Sequence, residues 1–174
     1  MNKLLIDLIH AYINNGIWFS IVLGTLLHFT YNLSGKNKIV GYFSATNESI
    51  WEHIKLSVYP ILIYNIYMYI NIHNYINNFF LALGIGLLVS VMIVPLLFYT
   101  YTKFTKSPIF VLDIGIFILA VVIPFKVIEY IIKMNQYPFV FNLFGFLLVI
   151  IIVISFIKFT YNPPNHKIFK EGEI

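Results

Sequence analysis

Five apolar runs take up most of this chain, each long enough to meet the roughly 20 residues a helix needs to cross the ~30 Å hydrocarbon core of a bilayer. A chain built this way has little left over for a soluble domain. The composition agrees: 60% of the residues are hydrophobic and only 10% are charged, where a soluble domain is closer to a quarter charged and under half apolar. The expected fold is all-α, an integral membrane bundle of five transmembrane helices in a single membrane domain, 1–174. The spans are expected at about 13–33, 48–72, 79–102, 108–132 and 138–160, followed by a short polar C-terminal tail, 161–174.

The boundaries come from local signals. Residues 1–12 carry Lys3, Asp7 and His10 among leucines and isoleucines and read as an interfacial turn leading into the first span. A secretory signal is excluded, because no small-residue cleavage site follows and further spans do. Residues 34–46 form a loop. The second span contains Pro60 and should kink there. It cannot start after Pro60, because too few residues would remain to cross. In the third span Ala82, Gly86 and Ser90 recur every four residues, the small-residue spacing that lets membrane helices approach closely. Ser107-Pro108 opens the fourth span as an N-cap with proline at the first helical position. Lys126, Glu129 and Lys133 near its end have helical pairing distances and read as an interfacial ion-pair ladder. Asn162-Pro163-Pro164 stops the fifth span, and the tail beyond is expected to be ordered only if it docks.

The net charge of +4 does not indicate nucleic acid. The cations, all lysine, stand singly at the ends of apolar runs rather than on one face, as topology signals and headgroup contacts do. Lys36, Lys38, Lys103, Lys106, Lys167 and Lys170 fall on one side of a five-span topology, and Lys3 and Lys133 on the other. This bias puts the C-terminus in the cytoplasm and the N-terminus outside; the heavy use of Ile, Asn, Lys and Tyr with no arginine suggests an AT-rich bacterial genome, and so a bacterial cytoplasmic membrane. Cysteine is absent, which removes disulfides, thiolate ligands and thiol nucleophiles. Any metal must be held by His, Asp or Glu.

The polar exception is Asn47-Glu48-Ser49-Ile50-Trp51-Glu52-His53-Ile54-Lys55. As a helix entry it offers Asn47 as N-cap and Ser49-x-x-Glu52 as a capping box. Glu48 and Glu52 would share one face with Lys55, and His53 would lie roughly 100–140° away from them. Its bland reading is an amphipathic helix start with the polar face in water. The functional reading rests on depth. His28 lies about five residues inward from the end of the first span, Glu52 and His53 about five from the start of the second, and Asp113 about five from the start of the fourth. At ~1.5 Å per residue, all sit roughly 7–8 Å below the same surface. His28, Glu48 or Glu52, His53 and Asp113 are therefore expected to face one polar pocket in the cytoplasmic half, with Trp51 turned to lipid or a neighbouring span. Isolated charges in this setting are expensive and are functional candidates by default.

The same stretch, from Gly41 to Leu56, with His28 before it and Asp113-Ile114 after it, resembles a family of small uncharacterised multi-spanning bacterial membrane proteins marked by an Asn-Glu-Ser-x-Trp-Glu-His-x-Lys-Leu motif. The resemblance covers most of the chain. It implies a membrane location and transfers no reaction.

Three functions remain open. His28, His53, Asp113 and Glu52 could hold a divalent metal such as Zn²⁺, or work as an acid–base site, on a lipid-like substrate. The same groups could relay protons in a small transporter or transporter subunit. The Glu–Trp–His–Lys face could instead dock a membrane-protein partner or a second copy of the chain. Whether the protein is an enzyme is left open, and membrane lipids are the partners expected under every reading.

Overall fold

The computed structural model describes residues 3–172, and it is helical throughout, with no strand among those residues. In chain order the helices are α1 (Lys3–Leu33), α2 (Lys38–Gly41), α3 (Ile50–Ile72), α4 (Phe79–Thr105), α5 (Phe110–Ile132) and α6 (Phe139–Tyr161), with 3₁₀ turns at His73–Tyr75 and Lys167–Phe169. Four helices, α1, α4, α5 and α6, are long and apolar enough to cross a membrane. The expected fifth, α3, is long but less apolar, because it carries Glu52, His53, Lys55, Asn65 and several tyrosines. It answers by position: it packs against α1, α4 and α5, and Glu52, Lys55, Ser57 and Asn65 are buried inside the bundle. The outer helices turn phenylalanine, leucine and isoleucine outward, among them Phe139, Phe144 and Ile151 of α6.

Three helix starts differ from the sequence reading. α5 begins at Phe110 with Ile109 at its N-cap, so Ser107-Pro108 stays in the connection and does not open the helix; the other two involve polar residues. Residues 3–12 are not a separate interfacial turn but the first turns of α1. They are tied down by His10, whose Nδ1 lies 3.0 Å from Glu129 on α5. Lys126 and Lys133 hold the same carboxylate at 3.2 and 2.5 Å, so the expected ladder is present and also clamps α1 to α5. The last difference is at the start of α3. Ser49, not Asn47, is the N-cap, with extended backbone and its side chain accepting from the Glu52 N–H. Asn47 Oδ1 accepts from the Ser49 N–H and turns the chain just ahead of the helix. Glu48 is thereby left outside the helix.

Pro60, Pro95 and Pro124 all lie within unbroken helices. Proline at 60 has no N–H for the carbonyl of Leu56, four residues back. Gly24 of α1 sits directly over that carbonyl: a Cβ there would clash with the Leu56 oxygen. Only glycine permits this approach, and it brings α1 against α3 one turn from His28. The small residues of α4 do similar work elsewhere. Ser90 bridges Ser57 of α3 (2.8 Å) and the Ala120 carbonyl of α5 (2.8 Å), and Gly84 meets Gly145 of α6 backbone to backbone.

The two ends of the bundle are distinct. At one, Asn78 donates to the Asn135 carbonyl and accepts from the Tyr137 N–H, joining the α3–α4 and α5–α6 loops beside the Glu129 ladder. At the other lie the 34–49 and 106–109 connections and the C-terminal tail, and the polar stretch is there.

Candidate functional site

The capping geometry of α3 sorts its polar residues into two groups. Glu52 and Lys55 point inward, at 2% and 0% exposure, and their side chains meet at 2.7 Å. The remaining donors of Lys55 reach the Gly41 carbonyl (2.8 Å) and Thr160 Oγ1 of α6 (3.1 Å). Glu52 Oε2 also accepts from the N–H and hydroxyl of Thr46, at 2.7 and 2.8 Å. An ammonium has three donors, and all three are used. This buried pair locks the 41–49 loop and α6 to the head of α3. Glu52, expected among the metal ligands, is committed here. It does not line the cavity where the histidines meet.

His53 takes the other side of the helix. Its Nδ1 lies 2.9 Å from the Ser49 carbonyl, so Nδ1 carries the hydrogen and donates it. Its Nε2 is 3.4 Å from Glu48 Oε2. A regular helix from residue 48 would have kept Glu48 and His53 apart; the chain turn at Asn47–Ser49 brings them together. His28 of α1 completes the group, its ring centroid 5.4 Å from that of His53. Its Nδ1 is buried without a hydrogen-bond partner. One ligand atom from each of His28, Glu48 and His53 falls within 4.8 Å of the others.

These three line a cavity of about 640 Å³, and Asp113 of α5 lines it too. Asp113 is not within the tight group. Its carboxylate accepts from the Tyr101 hydroxyl of α4 at 2.5 Å, and that hydroxyl oxygen accepts in turn from the Ile109 N–H. The rest of the wall is mainly apolar, with Leu56, Val94, Phe98 and Phe117 among it. Because α3 and α5 start two residues later than expected, His53 and Asp113 are each three residues into their helices, roughly 4–5 Å along the axis from the first helical residue.

Of the two surroundings expected for Trp51, it takes the neighbouring long helix and not an outward face. It packs on Phe156 of α6 (4.6 Å between centroids) and on Phe169 of the tail (4.9 Å). Through that contact the tail docks. Glu171 Oε1 accepts from the Glu48 N–H at 2.9 Å, and Lys170 and Gly172 join the cavity wall. The sequence signals these partners weakly: Phe169 follows Ile168 in a mostly polar tail, and nothing in the spacing of Tyr101 marks it as the partner of Asp113.

The chain matches the family of unknown function DUF6512 over residues 1–173 and belongs to it. No curated protein and no solved structure matches it.

Proposed function

We propose that this member of a family of unknown function is a multi-pass protein of the bacterial cytoplasmic membrane, whose His28–Glu48–His53 group binds a divalent metal such as Zn²⁺ and acts on a lipid-like substrate. In this reading α3 is the fifth span. Its 23 residues rise about 34 Å, enough for a ~30 Å core, and its neighbours screen its polar residues from lipid. The lysine bias then puts the cavity end and the C-terminus in the cytoplasm.

One observation carries the site. With Nδ1–H given to a carbonyl, His53 Nε2 presents a lone pair to the Glu48 carboxylate 3.4 Å away. Two lone-pair groups face each other stably only with positive charge between them, either a proton on Nε2 or a metal ion. A histidine oriented through a backbone carbonyl is the usual outer-shell arrangement of a metal ligand. Ligands bound at about 2.1 Å in a tetrahedron sit roughly 3.4 Å apart; Glu48 and His53 already have that spacing, and the separations to His28, within 4.8 Å, must contract by at most about 1.4 Å. Glu48, exposed and outside the helix, has the freedom to do so. Two imidazoles and one carboxylate leave one position for water or substrate. Asp113, held by Tyr101 on the same wall, is placed to take or give a proton.

The same contact is satisfied by a proton, which is the transport reading, so the test must separate the two. Protein purified in detergent is analysed for bound metal and titrated with Zn²⁺. About one equivalent in the wild type, lost in His28→Ala and His53→Ala, is the expected result. No metal and no zinc binding, together with a pH-dependent flux in proteoliposomes, would replace the metal with a proton.

A further inference from the structure

The cavity has two edges of opposite character. On the side of the tail its exposed lining residues are Glu48, Lys170 and Gly172. The tail lies across that edge, fixed by the Glu171–Glu48 hydrogen bond and the Phe169–Trp51 contact. On the other side the exposed lining residues belong mainly to the end of α1 and the start of α5: Phe29 is 55% exposed, Phe110 77% and Ile114 43%. Pro108 and Thr25 are exposed lining residues as well, and the Thr25 hydroxyl is given to the Ile21 carbonyl of its own helix. Between the edges the wall is mainly apolar. Val94 and Leu56, at 8% and 5% exposure, form its back. The polar edge is thus covered by the chain itself, and the mainly apolar edge is bordered by two helices that are each long and apolar enough to lie in a membrane.

A cavity of about 640 Å³ holds roughly twenty water-sized groups at ~30 Å³ each, the scale of one acyl chain with its carbonyl end. A polar edge carrying imidazole and carboxylate, a mainly apolar interior and a mainly apolar opposite edge together describe an amphiphile held lengthwise. We propose that an acyl chain of a membrane lipid enters sideways between α1 and α5 and lies against Val94 and Leu56, with the lipid's polar end at His53 and Glu48 beneath the tail. This deepens the reading above by naming the ligand; it rests on the membrane placement and not on the metal.

The test is photolabelling in proteoliposomes with a phosphatidylcholine bearing a diazirine in one acyl chain, followed by peptide mapping. Lipid bathing the protein will label outward residues such as Leu26 and Leu119 in any case. The expected result is additional label on Val94 or Leu56, buried residues that line the cavity, with Phe98 beside them. Val94→Trp should lower the label at Leu56 and Phe98 at least fivefold. If that variant does not fold, Ile114→Trp on the exposed rim should do the same. Label confined to outward residues in the wild type overturns the proposal, as does failure of the protein to float with the liposomes. Inner label on protein that binds no metal leaves this proposal standing and removes the metal. Metal without inner label does the reverse.

Discussion

Replacing Lys55 by Met should be among the most damaging single changes in the bundle. Lys55 is fully buried and Glu52 is 2% exposed, with their charges 2.7 Å apart. Methionine matches the stem of lysine in length but leaves three groups short: the Glu52 carboxylate, the Gly41 carbonyl and Thr160 Oγ1. Thr160 still donates to Phe156, and Glu52 keeps both bonds from Thr46, so the loss centres on an uncompensated buried carboxylate. Breaking one partner of a buried pair costs about 3–5 kcal/mol. For a chain of this length that is a fall in Tm of about 6–20 °C, at ~2–4 °C per kcal/mol. Thermal unfolding in detergent, followed by circular dichroism or a tryptophan signal, measures it. Glu52→Gln/Lys55→Met removes both charges and should lose less than the sum of the two single changes, because neither then strands a charge. A Lys55→Met shift within about 2 °C would refute the reasoning. It would mean that the pair behaves like an exposed one, worth at most ~1 kcal/mol, and that water reaches the head of α3.

Other changes separate packing from chemistry. Gly24→Ala sets a methyl against the Leu56 backbone oxygen and should destabilise by about 3 kcal/mol, at the upper end for overpacking, as read from Tm; a neutral result would mean that α1 and α3 slide apart freely. Ser49→Ala removes a rather long cap bond of 3.4 Å and should cost about 0.5–1 kcal/mol in the same assay, at the low end for caps. Glu129→Gln loosens the α1–α5 clamp at the far end and should lower Tm while leaving zinc affinity within about twofold, since the cavity is at the opposite end of the bundle. A periplasm-active reporter fused after Ile174 should stay silent, and a strong signal there would reverse the proposed topology.

The lengths of the apolar runs and the near absence of charge dictate an all-helical chain, because helices satisfy their own backbone and bury or expose apolar faces without other partners. The places where polar residues interrupt those runs were equally legible, which is why His28, His53 and Asp113 could be singled out one at a time. Roles within Asn47–Lys55 were not. Whether Asn47 or Ser49 caps α3 is a difference of two residues and a fraction of a kcal/mol, and that difference decides whether Glu48 shares a face with Glu52 or turns to His53. Periodicity assumes a helix already begun and is silent on where it begins. Glu52 went to a buried ammonium because Gly41 and Thr160, distant in sequence, gather around Lys55 once α6 is packed. Tertiary structure also made α3 the central helix. Its run is long enough to span but less apolar than those of the other four long helices, and the helices packed around it bury its polar residues. The docked tail belongs to the same class of fact: Glu171 reaches the Glu48 backbone because Trp51 and Phe156 give Phe169 a surface to rest on, and that surface exists only after α3 and α6 have met.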